Sequence, residues 1–539
     1  MEDIQIARSI KPLDILDVAK KLKINPNDVI CYGNNKAKLK INYGDKNGKL
    51  ILVTAINPTP YGEGKTTVSI GLNDALCKLN KNSLAVLRQP SMGPVFGMKG
   101  GATGGGYSQI IPMDEINLHF TGDFHAITSA NNLLCAAIDN HIFQGNELGF
   151  DKVVFNRCLD VNDRALRSVN LNNRQEKFNI TAASEIMALF CLADSIEDLE
   201  RRLGNIIVGY DVNNHEIYAK NLDIEGALTV ILKDAFLPNI VQTLEGNLVI
   251  VHGGPFANIA HGCNSLIATK YGLSIADYVV TEAGFGADLG AEKFFDIKCK
   301  VGDLKPDAVV LVVTIKALKY NASVMKEHIL EENIEAVKIG LSNLDAHVNN
   351  LRKFGVSIVV CLNKFDTDKE AEIEVIEEYC DNNSLSFAFS DTYRIGSDGA
   401  IDLANKVISA CDKYDDFNYL YDNDLLIEEK IEILCREIYH ASNIEYSNLA
   451  LEKIEALKNN NHDKLPICVS KTQYSLSDDD KKLGNPTDYT INVNDLELYN
   501  GAEFIVVLLG KTLRIPGLPK NPNYEKIKLD SDYNIQGLS

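Results

Sequence analysis

Tryptophan is absent from this 539-residue chain, so any ring stacking it performs falls to its Phe and Tyr side chains. Paired cysteines are absent too. The twelve cysteines stand singly, with no C-x-x-C pair and no metal-ligand spacing, and most, such as Cys77 and Cys361, sit in apolar stretches. This argues against a zinc site and a disulfide framework, and for buried free thiols. No apolar run approaches the roughly 20 residues that cross a bilayer. The opening "MEDIQIARSIKPLDILDVAKK" has a polar start and a short amphipathic helix where a signal peptide has an apolar core. A soluble, cytoplasmic protein is expected. Basic charge is in short supply: 54 Lys and Arg stand against 74 Asp and Glu, a formal net charge of -20. That surface argues against nucleic acid or an anionic membrane as partner. Small anions remain open, because local loops can still present Lys, Arg and backbone N–H groups.

What is present is apolar material, 45% of residues, in a length that suits about three or four domains. Short β-branched runs recur at 49–57, 83–89, 247–254, 277–284, 306–315 and 356–365. Such runs suit strands covered on both faces of a parallel sheet. Helical patterns lie between several of them, at 66–80 and 367–382. The alternation predicts an α/β fold with a mainly parallel, doubly wound sheet. Two smaller α/β domains are expected beside it, with divisions at 1–345, 346–428 and 429–539; the acidic stretch 413–430 marks the later boundary. Many distinctive stretches fall just after strands, where open α/β sheets bind ligands.

One of these is "NPTPYGEGKTTVSIGL", residues 57–72. A strand runs into Thr59-Pro60-Tyr61-Gly62-Glu63-Gly64-Lys65-Thr66-Thr67 and then into a helix. Gly62 and Gly64 let backbone approach an anion, the helix N-terminus offers free N–H donors, and Lys65 adds a point charge. Thr66 is placed to hold Mg²⁺ through its hydroxyl. The general P-loop NTPase pattern has glycine at position 59, where this chain has Thr59. "NKFD", Asn363 to Asp366, also ends a strand. It is either the guanine-reading pattern of GTPases or a strand end entering a helix capped by Thr367 or Asp368. Residues alone leave ATP and GTP equally open.

Three further stretches stand out, the first too irregular for a core element. The first, 88–134, carries Arg88, Lys99, His119, Asp123 and His125 among many glycines. The others are "VHGGPFANIAHGCNS" (251–265), with His261, and "EAGFGADLGAEKFFDIK" (282–298). Together with the loop at 57–67, and with "YGNNKAK" (32–38), "KTQYSLSDD" (471–479) and "IPGLPKNP" (515–522), they resemble formate–tetrahydrofolate ligase. The resemblance covers essentially the whole chain. That family's loop itself reads T-P-x-G-E-G-K-T-T, so Thr59 is the family form.

The resemblance implies ATP, with Mg²⁺ and a monovalent cation (K⁺ or NH₄⁺). It implies formate and tetrahydrofolate, including its polyglutamates, as substrates and a homotetramer as the assembly. The implied reaction passes through formyl phosphate and yields 10-formyltetrahydrofolate, ADP and phosphate. It assigns Thr59 to Thr67 to ATP, and Arg88 to formyl phosphate, which a guanidinium can grip bidentately. Phe365 of the family's N-x-F falls to the pterin stack. His125, Asp123 and His261 are candidates for proton handling or orientation, or else hydrogen-bonded structural residues.

The chain departs from the family pattern at several places. Gln89 stands where the family has Glu, implied in the monovalent-cation site. The signature T-x-R-A-L-K-x-[HN]-G-G reads "TIKALKYNAS" (314–323), so Lys316 replaces arginine and Ala322 and Ser323 replace two glycines. Tyr393 stands for the family's tryptophan in the folate stack. Besides an active ligase, these departures allow a relative that binds ATP or folate with little turnover, or an ATP-dependent ligase for another carboxylate or pterin.

Overall fold

The computed structural model describes residues 2–45, 47–97, 102–171, 174–413, 416–510 and 514–538. Its centre is a 12-stranded sheet. The strands are β1 (Val29–Cys31), β2 (Ala37–Leu39), β3 (Lys49–Ala55), β4 (Ser83–Leu87), β5 (Gly104–Gly105) and β6 (Ser108–Ile111). They continue with β7 (Asn239–Thr243), β8 (Leu248–Val251), β9 (Tyr278–Glu282), β10 (Ala308–Val313), β11 (Ile358–Asn363) and β12 (Ser386–Ser390). The order is β1-β2-β7-β8-β4-β9-β3-β10-β11-β12, with β6 also on β7 and β5 on β6.

Every neighbouring pair from β8 to β12 is parallel. The β1, β2, β7 end and the β5–β6 hairpin are antiparallel. The sheet is therefore mixed and mostly parallel. All six β-branched runs of the sequence become strands in its parallel part. They could not alternate apolar with polar, because both faces are covered. From β3, Leu50 and Leu52 face one core shared with Leu344, Val348 and Leu351. Ile51 and Val53 face another, shared with Val68, Leu72 and Ala75.

Covering one face is α2 (Lys65–Lys78); covering the other is α5 (Ile334–Arg352). Four further helices bear on the site: α1 (Asp3–Ser9), α3 (Asp123–Phe143), α4 (Ile315–Asn321) and α6 (Glu370–Asn382). The stretch 346–428 supplies β11 and β12 to this same large sheet, in register with β10. Farther on lies a separate four-stranded sheet: β13 (Asn443–Tyr446), β14 (Ile467–Ser470), β15 (Thr490–Tyr499) and β16 (Phe504–Leu509), ordered β13-β15-β16-β14. Among the described residues no helix is long and apolar enough to cross a membrane.

Candidate active site

The carboxyl ends of β3, β4, β8, β9, β10 and β11 lie side by side, and the stretches that begin at 57, 88, 251, 282, 314 and 363 leave from them. After β3 the chain enters the glycine loop. Gly62 and Gly64 sit at φ 78° and 75°, in the left-handed region. A side chain at Gly64 would collide with the Asn363 carboxamide, so glycine serves both conformation and space there. The loop closes on itself through Glu63. One Glu63 oxygen accepts from the Thr59 backbone N–H at 2.6 Å and from its hydroxyl at 3.0 Å. The Thr59 hydroxyl in turn accepts from Tyr61 N–H at 3.2 Å. Thr59 thus does work that glycine could not do.

Asn363, the first residue of "NKFD", donates to the Glu63 carbonyl at 3.0 Å. It is 5% exposed and braces the loop from β11. The helix after it starts later than the sequence suggested. Lys369 occupies the position before α6 and makes no side-chain cap, and Asp368 accepts from Phe365 N–H at 2.8 Å. Neither Thr367 nor Asp368 caps the helix, because Asp368 is spent on ordering the turn that carries Phe365.

Lys65 and Thr66 open α2. Burial pushes the Lys65 ammonium below its usual pKa, against the opposite pull of Glu63 and Glu282. Glu282 ends β9, next to β3, and is 2% exposed. Its carboxylate accepts from the Thr66 hydroxyl at 2.8 Å and lies 3.8 Å from the Arg88 guanidinium. Sequence reasoning quoted the stretch that Glu282 begins but did not single the residue out. An acid ending a strand was visible; that this strand neighbours β3 was not.

Arg88 follows β4. Its Nη1 reaches the Pro255 carbonyl at 3.5 Å, and its buried Nε finds no hydrogen-bond partner among the described residues. Gln89 is 3% exposed. Its backbone N–H donates to Gly253 at 2.8 Å, while its buried side-chain oxygen finds no partner among the described residues. Phe124 packs beside Gly254 and the Gln89 carbonyl, which brings the first turn of α3 to the site.

The three proton-handling candidates separate. Asp123 is locked in a buried ion pair with Lys38 at 2.8 Å, and its other oxygen accepts from Asn239 at 2.6 Å. His125, two residues on, is exposed, as is His119. His261 is fully buried, with neither ring nitrogen partnered among the described residues. Burial, then Lys298, Lys293 and Arg88, hold its pKa well below the usual value, so the ring is neutral near pH 7. His261 is within electrostatic reach of Arg88. Lys99 lies outside the described residues.

A second cluster gathers where β10, β11 and β12 end. Lys316, in the first turn of α4, stands over the half-buried Phe365 ring, 4.1 Å from its centroid. A contact of ammonium with ring face at that distance is attractive. Ala322 has an ordinary φ of -88°. Ser323 has a φ of 64°. Ser323 thus takes the left-handed conformation that glycine adopts freely, while Ala322 needs no such freedom. Tyr393 is 48% exposed, and its hydroxyl donates to Asp3 at 3.1 Å. An ion pair of 2.8 Å between Arg394 and Asp366 ties the Tyr393 loop to the Phe365 loop.

The far sheet reaches the site through "KTQYSLSDD". Lys471 forms a fully buried ion pair with Asp288 at 2.8 Å, and the Gln473 carbonyl accepts from Asn57 at 3.3 Å. Asn57 lies two residues before Thr59. Its side chain also contacts Asp288, Asn343 and His347.

The glycine loop, Arg88 and Gln89, the stretch after β8, Glu282 and "NKFD" therefore lie along one edge of the large sheet, and "KTQYSLSDD" reaches it from the smaller one. A family model described as formate–tetrahydrofolate ligase matches residues 1–539, end to end. The chain belongs to the formate–tetrahydrofolate ligase family.

Proposed function

We propose that the protein is an ATP-dependent ligase that joins formate to tetrahydrofolate through formyl phosphate, giving 10-formyltetrahydrofolate, ADP and phosphate. The observation that carries this reading is the β3–α2 loop. Its left-handed glycines, Lys65, and the Thr66–Glu282 contact lie on the same sheet edge as Arg88. These features support a P-loop NTPase reading, in which backbone N–H groups and a lysine cradle phosphates.

In this reading the first step is attack of a formate oxygen on the γ-phosphorus of ATP, with ADP leaving. Phosphoryl transfer asks for positioning and charge neutralisation rather than covalent help. The loop N–H groups and Lys65 hold the phosphates. Arg88, with its unpartnered Nε, receives the phosphate end of formyl phosphate. N10 of the folate then attacks the formyl carbon, phosphate leaves with the C–O bonding electrons, and N10 loses its proton. Activation is needed because formate itself has only oxide or hydroxide to expel.

The donor set suits Mg²⁺. A hydroxyl and a buried carboxylate, hard oxygen donors both, meet beside the phosphate position. Thr66 and Glu282 are the residues to hold it, and the ion, when bound, neutralises charge on the β- and γ-phosphates. For a monovalent cation the fitting observation is the orphaned Gln89 oxygen, a neutral donor. On the ring side, Phe365 and Tyr393 stack the pterin. Assembly as a homotetramer is part of the same proposal, on family grounds.

Lys65→Ala is the test. Measured by calorimetry and by formyltetrahydrofolate formation, MgATP binding and turnover should fall together, turnover by about a hundredfold or more. Unchanged binding and turnover would remove the phosphate-loop reading. The variant site also bears on whether the chain turns over at all. Ser323 keeps the left-handed backbone that glycine would have supplied, which favours a working ligase over a binding-only relative.

A further inference from the structure

Tyr393 is held at both ends by residues from other parts of the chain. Its carbonyl accepts from Tyr107 N–H at 2.9 Å. Side chains at Gly105 or Gly106 would run into its ring, so the ring rests on bare backbone. Its hydroxyl donates to an Asp3 carboxylate oxygen at 3.1 Å, and the same oxygen accepts from Gly106 N–H at 3.0 Å. The Asp3 carbonyl accepts from the Gln109 side chain at 3.0 Å. One carboxylate oxygen in α1 thus joins the ring to the turn it lies on, across 390 residues of sequence.

Burial and Asp3 both push the Tyr393 hydroxyl's pKa up, so it stays protonated and donates. The helix does not depend on this contact for its seat. Ile4 and Ala7 pack with Val95, Ile111, Met113 and Leu538.

A ring that stacks on a ligand loses affinity if it must first be ordered. The tryptophan found at this place in the family pattern has no hydroxyl at its far edge. A tyrosine is smaller, but its hydroxyl can be pinned. We propose that Asp3 is a positioning residue that fixes the plane of Tyr393 for stacking on the pterin of tetrahydrofolate, making α1 part of the folate site. The proposal rests on the reading of Tyr393 as a folate-stacking residue.

The experiment is a double-mutant cycle on the full chain, with separate titrations of tetrahydrofolate and MgATP by calorimetry. Asp3→Ala should weaken tetrahydrofolate binding by about two- to tenfold, the range of one hydrogen bond, and leave MgATP binding unchanged. Asp3→Asn retains an acceptor oxygen and should retain affinity. In a Tyr393→Phe background, Asp3→Ala should cause no further loss.

Equal weakening of both ligands, or the same loss with and without the tyrosine hydroxyl, would show that Asp3 acts through the fold and overturn the proposal. The two layers of the argument fail differently. If Tyr393→Ala weakens folate binding and Asp3→Ala is silent, the clamp alone is wrong. If Tyr393→Ala leaves folate binding unchanged, the stacking role falls and the clamp with it.

Discussion

The two halves of the site are built differently. On the glycine-loop side, at the ends of β3, β4 and β9, the working groups are backbone amides, Lys65, Arg88 and nearly inaccessible carboxylates. Glu63 and Glu282 are 4% and 2% exposed. Their partners are mostly backbone or short side chains in the middle of the sheet. On the ring side, at the ends of β10, β11 and β12, the groups are half-exposed aromatic faces held by other side chains: Lys316 on Phe365, Asp3 on Tyr393, Arg394 on Asp366. Lys316, Ala322, Ser323 and Tyr393, four of the five departures from the family pattern, fall on the ring side. A loop held in left-handed backbone geometry has few substitutes. A ring face can be supplied by a different ring, and steadied by a different neighbour.

The largest expected effect lies on the glycine-loop side. Arg88→Lys keeps one positive charge but loses the planar fork, so kcat/KM should drop by about a hundredfold or more while the fold stays intact by circular dichroism. A loss under threefold would mean that position 88 serves only as a charge and that this side tolerates change as the other does. Next comes Phe365→Ala. The stack and its ring area should cost about tenfold in the dissociation constant for tetrahydrofolate, with little change for MgATP. An equal loss for both ligands would erase the division between the halves.

The sequence made the sheet and the loop legible because both are local. Continuous β-branched runs such as 308–313 announce a strand covered on two faces, and glycines before Lys65-Thr66 announce a tight left-handed turn from strand into helix. The antiparallel edge was not legible, since β1, β2 and β6 are short and take their places from long-range pairing. Glu282 was missed for a related reason: its importance comes from β9 lying beside β3, an adjacency between residues 282 and 53. Asn363 was open to two readings, and its contact with the Glu63 carbonyl, 300 residues away, could not be inferred from four letters. Asp123 sat in a promising stretch, but its ion pair with Lys38 joins two parts of the chain that sequence alone does not bring together.

A smaller effect is expected at Gln89, the one departure on the glycine-loop side. Gln89→Glu places a carboxylate in a site 3% exposed, where a bare charge is costly unless paired. Activation by K⁺ or NH₄⁺ should strengthen several-fold, and the melting temperature should become more dependent on K⁺ than that of the parent. If neither changes, position 89 does not touch the cation.

The smallest effect sharpens the contrast from the ring side. Ser323 holds a φ of 64°, a conformation that a side chain disfavours by about 1 kcal/mol and that glycine adopts freely. Ser323→Gly should therefore stabilise the protein by about that amount, partly offset by glycine's greater freedom in the unfolded chain. In a chain of this size the melting temperature should rise by about 1–2 °C. Activity should stay level, because the backbone already follows the path that glycine would take. If activity rose well above the parent's while stability stayed the same, the serine side chain itself, not the backbone beneath it, would be obstructing the site, and the ring side would be less tolerant than its borrowed contacts suggest.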